Sequence, residues 1–221
     1  MKYEWSFHFL WQYQALIVKG IGVTLGFTIL TVVLGLLVGM VIALGRMTKR
    51  RWLAAPLVAL VELFRCTPVL VQLIWVYYAL PVLIGLELSP AEAAIITLAL
   101  YGGAFYAEII RGGIVSIELG QWDAGHALGL RTWQLMLKII LPQAMRRMLP
   151  PLVNQSIMQL KNTSLVSVLA VPDILYQGQL ITSATYRPLE TYTMVALVYF
   201  AILYPLTWLA TQMERKLASR P

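Results

Sequence analysis

The residues that could do chemistry in this sequence are charged side chains set within otherwise apolar segments. Glu62 and Arg65 are three residues apart, as are Glu108 and Arg111, and this spacing places each pair on one helix face, where the two charges can pair. Lys161 has no such neighbour in the sequence. Because a buried charge is costly unless it is paired, each of these residues is a candidate for either a structural ion pair or a functional polar site.

Other kinds of chemistry find little support in the sequence. There is no phosphate-cradling GxxxxGK[ST] motif, and no Ser, His and Asp arrangement or metal-ligand spacing. The single cysteine, Cys66, leaves no partner for an intrachain disulfide and no Cys-based metal cluster. His8 and His126 have no plausible ligand or triad partner nearby, so both are interpreted as structural. An intramembrane enzyme is therefore the weakest of three functional hypotheses.

The composition predicts that these charges lie in a membrane protein. Of the 221 residues, 59% are hydrophobic and 12% are charged, whereas about 25% are charged in an ordinary soluble domain. Residues 20–45 and 191–213 contain no charged side chain, and about 20 apolar residues suffice to cross a bilayer. The net charge of +7 could suggest nucleic acid binding, but basic residues in membrane proteins collect at the cytoplasmic ends of helices. We expect a lipid bilayer and no nucleic acid as partner.

The remaining spans are predicted from helix start and stop signals. Residues 52–86 are too many for one straight span, and Pro68 should break that helix, with Thr67 as the cap of the next one. Ser89, Pro90 and Glu92 form a capping box that starts a third span, which ends near residue 112. A fourth span is predicted at about 150–171 with Lys161 near its middle, an outer loop at about 173–190, and a fifth span that ends before residue 215.

The basic residues set the predicted orientation. Eleven Lys and Arg residues lie on one predicted side of the membrane, after the first span, in the central segment and after the last span. Only three, Lys2, Lys19 and Arg187, lie on the other side. By the positive-inside rule, this asymmetry predicts five spans with the N-terminus outside and the C-terminus in the cytoplasm. No internal repeat or low-complexity linker is visible, so residues 1–221 are predicted to form one membrane domain. Glycines four residues apart in the first span, at 22, 26, 35 and 39, favour close helix packing.

The central segment carries a family resemblance. Residues 123–142 read DAGHALGLRTWQLMLKIILP and resemble the cytoplasmic "EAA" signature of permeases of ATP-binding-cassette importers, with Asp123 where Glu is usual and Gly125 where Ala is usual. ELFRCTPVLVQLIW at 62–75, AFYAEIIRGGI at 104–114 and KNTSLVSVLAVPDIL at 161–175 extend the resemblance to the polar amino acid permeases (histidine/glutamine type) over nearly the whole chain.

The resemblance implies an all-α type I importer permease in the bacterial inner membrane, which carries polar amino acids and has no ATPase motif of its own. It implies a second permease, identical or homologous, an extracytoplasmic amino-acid-binding protein, and two ATPase subunits that hold ATP and Mg. The cytoplasmic segment at about 116–147 would contain a short coupling helix that fits a groove on the ATPase, with Asp123 in its first turn and Gly129 as its stop. The predicted docking residues are Asp123, Ala124, Gly125, Ala127, Leu128, Gly129, Leu130 and Arg131.

A substrate path for an amino acid needs groups that complement a carboxylate and an ammonium. The helix break near Thr67 could aim a helix N-terminus at the carboxylate, and Lys161 either faces a polar path or extends to the membrane interface. For Glu62 and Arg65, a structural ion pair and a substrate role stay equally open. An ion-driven secondary transporter or channel subunit is the alternative function, although neither inverted repeats nor a selectivity filter is visible. The predicted path residues are Glu62, Arg65, Thr67, Gln72, Tyr101, Phe105, Glu108, Lys161, Asn162, Thr163 and Ser164.

Overall fold

The fold is known from a computed structural model, which describes residues 3–48 and 50–218. Within these ranges the regular structure is helical. Lys2, Lys49 and Arg220, which the predicted charge asymmetry includes, lie outside the described residues. The α-helices are α1 (Gln14–Arg46), α2 (Arg51–Cys66), α3 (Val69–Ile84), α4 (Pro90–Val115), α5 (Leu119–Ala127), α6 (Thr132–Leu135), α7 (Leu141–Asn162), α8 (Ile174–Thr185) and α9 (Pro188–Ala218).

Short helices of other types connect these elements. A 3-10 helix, His8–Tyr13, leads into α1, a π-helical turn, Met136–Ile140, leads into α7, and a 3-10 helix, Thr163–Leu169, follows α7. Three helical stretches are long and apolar enough to cross a membrane, and two sharply bent helix pairs bring the number to five if each pair counts as one span. This agrees with the predicted number of spans.

The core forms where α1 packs along α4. A side chain at Gly39 would lie 2.7 Å from Tyr106 Cβ and 2.9 Å from the Gly103 carbonyl oxygen, so only glycine allows this approach. Gly35 packs in the same way against the Tyr106 ring, which is fully buried. Gly22, one of the other two predicted packing glycines, has open space around its Cα. The four-residue glycine pattern thus predicts the core contact only in the second half of α1.

The break at Pro68 is confirmed, but its capping differs from the prediction. Helices α2 and α3 meet at 110°. Pro68 is the N-cap residue of α3 rather than its first helical residue, and the Thr67 hydroxyl donates back to the Leu63 carbonyl oxygen at 2.7 Å. Thr67 therefore closes α2 and does not cap α3, because its extended backbone places the hydroxyl over the last turn of the preceding helix.

The capping box that starts α4 is confirmed, whereas the two boundaries predicted after it are wrong. Helix α7 begins at Leu141 and contains both Pro150 and Pro151, so the prolines do not mark its start. Residues 174–185 form α8 instead of a loop, because the buried Asp173 side chain accepts from the Tyr176 backbone N–H at 2.8 Å and caps the helix. Lys161 lies in the last turn of α7, and the 3-10 helix Thr163–Leu169 continues directly after that turn.

Candidate functional site

The central segment contains the short helix that the sequence predicts, but it starts one turn earlier. Helix α5 begins at Leu119, and Asp123 is in its middle, so the carboxylate is not in the first turn as predicted. The helix ends at Ala127, and Gly129 follows with φ of 74°. A left-handed residue after a helix end is the usual place for glycine, so Gly129 acts as the predicted stop.

The outward face of α5 has small side chains beside the Asp123 carboxylate in its middle and a leucine at each end. Leu119 is 78% exposed and Leu128, just after the helix, is 77% exposed. Residues four apart on a helix share one side, and six exposed positions of α5 and its C-cap form two adjacent rows with this spacing. We call this surface the α5 outer face; its members are Leu119, Gly120, Asp123, Ala124, Ala127 and Leu128.

Four of the eight predicted docking residues do not belong to the α5 outer face: Gly125, Gly129, Leu130 and Arg131. Gly125 is buried, and a Cβ there would overlap the Leu135 side chain, so its small size serves the packing of α5 on α6 within this chain. Leu130 is half-buried against the same core. Conversely, Leu119 and Gly120 were missed, and their four-residue offset from Asp123 and Ala124 is the signal that could have identified them.

A second group of predicted residues is brought together from three helices. Arg65 of α2 pairs with Glu62 at 3.2 Å, and its guanidinium carbon lies 5.8 Å from the centre of the Phe105 ring of α4. The Phe105 and Tyr101 rings are 4.9 Å apart, and the Asn162 side chain at the end of α7 lies near the Tyr101 hydroxyl. We call this group the α2–α4–α7 polar face. It presents an anion, a cation and two aromatic rings together.

Gln72 stabilises the bend between α2 and α3. Its side-chain amide nitrogen donates to the Phe64 and Thr67 carbonyl oxygens, each at 3.0 Å, and to the Thr67 hydroxyl at 2.6 Å. These are acceptors that the interrupted helix leaves free. The Gln72 amide oxygen is buried and has no hydrogen-bond partner among the described residues. Gln72 and Thr67 both line a mostly apolar cavity of about 310 Å³ beside Trp75.

The other predicted path residues lie apart from these groups or point inward. Glu108 accepts from Arg46 of α1 at 2.6 Å and also from Arg111, so both carboxylate oxygens are engaged. Thr163 is fully buried and donates to the Leu160 carbonyl oxygen, and the Ser164 hydroxyl donates to the Lys161 carbonyl oxygen.

Within the described part of the chain, Lys161 lacks an ion-pair partner, and the acidic side chains do not form a metal site. The Lys161 side chain is exposed, and none of the ion pairs found in residues 3–48 and 50–218 includes it. Over the same residues, no three His, Cys, Asp or Glu side chains are close enough together to hold a metal ion.

Comparison with known proteins agrees with this architecture. The fold, with its bent spans and its short helix between α4 and α7, is that of a multi-pass helical permease of the bacterial inner membrane. The chain belongs to the family of binding-protein-dependent transport system inner membrane components, whose model matches residues 12–219.

Two relatives illustrate the family at the level of sequence. The glutamine transport system permease protein GlnP of Escherichia coli (strain K12) is 37% identical over 219 residues, which cover 98% of this chain and 99% of GlnP. The arginine transport system permease protein ArtQ of Bacillus subtilis (strain 168) is 34% identical over 206 residues, which cover 92% of this chain and 93% of ArtQ.

Solved structures show the type I importer permease fold. A crystal structure of an amino acid ABC transporter with histidines superposes with a TM-score of 0.91 at 34% identity, covering 97% of this chain and all of the matched chain (100%). The MetNI methionine ABC transporter, in an inward-facing conformation, superposes with a TM-score of 0.77 at 20% identity, covering 96% of this chain and 99% of the matched chain.

Proposed function

We propose that this chain is the transmembrane permease subunit of an ATP-driven importer of polar amino acids. The α5 outer face is the observation that carries the proposal. Small residues at Gly120, Ala124 and Ala127 leave a shallow surface, and the exposed Leu119 and Leu128 at its ends supply apolar area that a partner can cover. The names of the relatives, which are glutamine, arginine and amino acid transport permeases, support the choice of substrate class.

The proposed assembly contains this chain, a second identical or homologous permease, two ATPase subunits and an extracytoplasmic amino-acid-binding protein. ATP and Mg bind to the ATPase subunits, which supply the hydrolysis, and this chain binds no cofactor. The excess of basic residues near α5 and after α1 favours a cytoplasmic location for the α5 outer face and an extracytoplasmic N-terminus.

The α2–α4–α7 polar face is the proposed substrate path. An amino acid carries a carboxylate and an ammonium, and the face offers the Arg65 guanidinium for the first group. The Glu62 carboxylate and the Tyr101 and Phe105 rings can attract the second, because an ammonium is drawn to both carboxylates and aromatic faces. Lys161, at the end of α7, adds a second cation at the margin of this face.

The docking role is tested at Ala124, because its Cβ is exposed and helical, so a larger side chain needs no change in backbone. Gly129, in contrast, has a positive φ, and a leucine there would strain the backbone whether or not a partner docks. We expect Ala124→Leu to insert in the membrane normally but to lose co-purification of the ATPase subunit and ATP-dependent uptake. Ala201→Leu, at an exposed position on α9, is the matched control and should retain both.

A thiol at Gly120 adds an independent measurement of the same surface. In a Cys66→Ala background, Gly120→Cys should react with a membrane-impermeant reagent only from the cytoplasmic side, and assembly with the ATPase should slow the reaction. Normal ATPase association of Ala124→Leu together with unprotected labelling would refute the docking role. Uptake by the chain without any ATPase subunit would instead favour the ion-driven alternative.

A further inference from the structure

One side of α7 makes two side-chain hydrogen bonds, one to α5 and one to the junction that leads into α5. Gln143 and Arg147 are four residues apart, so both lie on the same side of the first two turns of α7. The Gln143 side-chain amide donates to the Gln121 side-chain oxygen of α5 at 3.3 Å. The Arg147 guanidinium donates to the carbonyl oxygen of Ser116 and lies 3.5 Å from its hydroxyl. The two contacts therefore reach α5 itself and the junction that leads into it.

The Ser116 contact satisfies a group that the fold would otherwise leave unpaired. Ser116 is the C-cap residue of α4, and the last carbonyl oxygens of a helix have no partner within that helix. A cation near a helix C-terminus also interacts favourably with the helix dipole. A guanidinium donor makes a stronger hydrogen bond than a neutral donor, so Arg147 is well suited to fix the end of α4.

The backbone around these contacts is closely packed. A Cβ at Gly113 of α4 would overlap the Met148 side chain of α7, so these helices approach each other directly beside Arg147. Gly125 makes the equivalent close contact between α5 and Leu135. Such packing sets which side of α5 faces the core, and the hydrogen bonds of Gln143 and Arg147 add directional contacts to α5 and to the junction before it.

We propose that Gln143 and Arg147 form a clamp that makes α5 and the first two turns of α7 move as one body. The proposal rests on the proposed docking of an ATPase at the α5 outer face. When the ATPase displaces α5, the clamp carries that displacement into α7, the helix whose other end bears Asn162 and the substrate path. Without the clamp, α5 rocks on the membrane domain, and ATP is hydrolysed without a matching movement of α7.

The test measures amino acid imported per ATP hydrolysed by the complete complex in vesicles. A coupling free energy of 1 to 3 kcal/mol corresponds to roughly a 5- to 150-fold effect, so Arg147→Gln should lower this ratio at least about fivefold. Gln143→Ala should lower it less, because its bond is neutral. Arg147→Lys should recover much of the ratio, since an ammonium can still donate to the carbonyl oxygen. Ser116→Ala should have little effect, because the acceptor belongs to the backbone.

Arg146→Gln is the matched control, because this neighbouring arginine carries the same charge and is exposed. It should leave the ratio unchanged. An unchanged ratio in Arg147→Gln, or an equal fall in Arg146→Gln, would overturn the clamp. Loss of ATPase association in Arg147→Gln alone would also overturn it, because Arg147 would then be a docking residue. The docking proposal fails separately, on the association of Ala124→Leu.

A cross-link examines the same two helices during transport. In a Cys66→Ala background, Gln121→Cys and Gln143→Cys joined by a short bifunctional thiol reagent should support normal uptake, because the clamp stays closed throughout the cycle. Uptake that stops on cross-linking and returns when a cleavable reagent is reduced would show that α5 and α7 separate. That result would overturn the proposal even if the Arg147 variants behave as expected.

Discussion

The chain contains the same Glu-x-x-Arg spacing in α2 and in α4, and the two pairs have different surroundings. Glu62 and Arg65 are 3.2 Å apart, and their side chains are 49% and 34% exposed. Glu108 instead lies between Arg111 and Arg46, and the Arg46 side chain, which comes from α1, is only 8% exposed. One pair is open to further partners, and the other is closed by a third charge from a distant part of the sequence.

This difference shows what helical spacing can and cannot predict. The three-residue interval brings each glutamate to its arginine because both stand on one helix face. It gives no information about Arg46, which reaches Glu108 only because Gly35 and Gly39 let α1 pack closely on α4. We therefore interpret the cluster of Glu108 with its two arginines as stabilising the fold. Glu62 and Arg65 remain the predicted substrate contacts.

The largest expected effect is on stability, at Arg46. Arg46→Met removes the guanidinium that engages one oxygen of the Glu108 carboxylate and leaves Arg111 as the remaining partner, so it should destabilise the protein by about 1 to 3 kcal/mol. The expected result is a lower thermal unfolding midpoint in nanodiscs and reduced yield. The double variant Arg46→Met with Glu108→Leu should regain part of the loss, because the carboxylate oxygen that faced Arg46 is removed together with its partner. If Arg46→Met unfolds at the same temperature as the native protein, the Glu108 cluster stabilises the fold no more than the exposed Glu62–Arg65 pair does.

The second effect should appear in transport rather than in stability. Exposed ion pairs contribute about 0 to 1 kcal/mol, so Arg65→Gln should unfold near the native midpoint. If Arg65 binds the substrate carboxylate, amino acid uptake by the assembled complex should fall about tenfold or more, since hydrogen bonds to charged groups contribute roughly 1.5 to 3 kcal/mol. Arg65→Lys should retain part of the uptake. A normal concentration dependence of uptake in Arg65→Gln would show that this pair is structural too.

The smallest effect is expected at Lys161, which directly precedes Asn162 at the end of α7. Lys161→Met keeps the apolar stem and removes the charge, so it should weaken substrate-stimulated ATPase activity a fewfold while leaving stability unchanged. Asn162→Ala, which removes the side chain beside Tyr101, should have the larger effect of the two. Native substrate dependence in both variants would mean that this end of α7 serves packing, and the path would then be restricted to Glu62, Arg65 and Thr67.

Local signals in the sequence predicted much of the fold correctly. Pro68 interrupts a helix because it lacks a donor, and Ser89 with Glu92 starts one because each caps the other's backbone N–H. The same kind of rule failed at Pro150. Prolines there are tolerated inside α7, as they can be within membrane helices whose neighbours and side chains satisfy the free carbonyl groups.

The candidate docking site shows the same division. The small residues and the stop at Gly129 were predictable, because a left-handed position after a helix strongly favours glycine. The role of Gly125 was not, because nothing in the segment reveals that Leu135 folds back against it. Helical period alone could have added Leu119 and Gly120 to the surface once the start of α5 was known.

The sequence by itself determined that the protein lies in a lipid bilayer, the approximate number of its spans and the segment that is proposed to bind the ATPase. These follow from composition, from runs of apolar residues and from short signals whose physics is local. Only the tertiary structure decided which charged side chains are paired with a distant helix and which remain exposed, and which small residues face inward. Those properties depend on contacts between helices far apart in the chain, such as α1 with α4 and α2 with α4, and no local pattern encodes them.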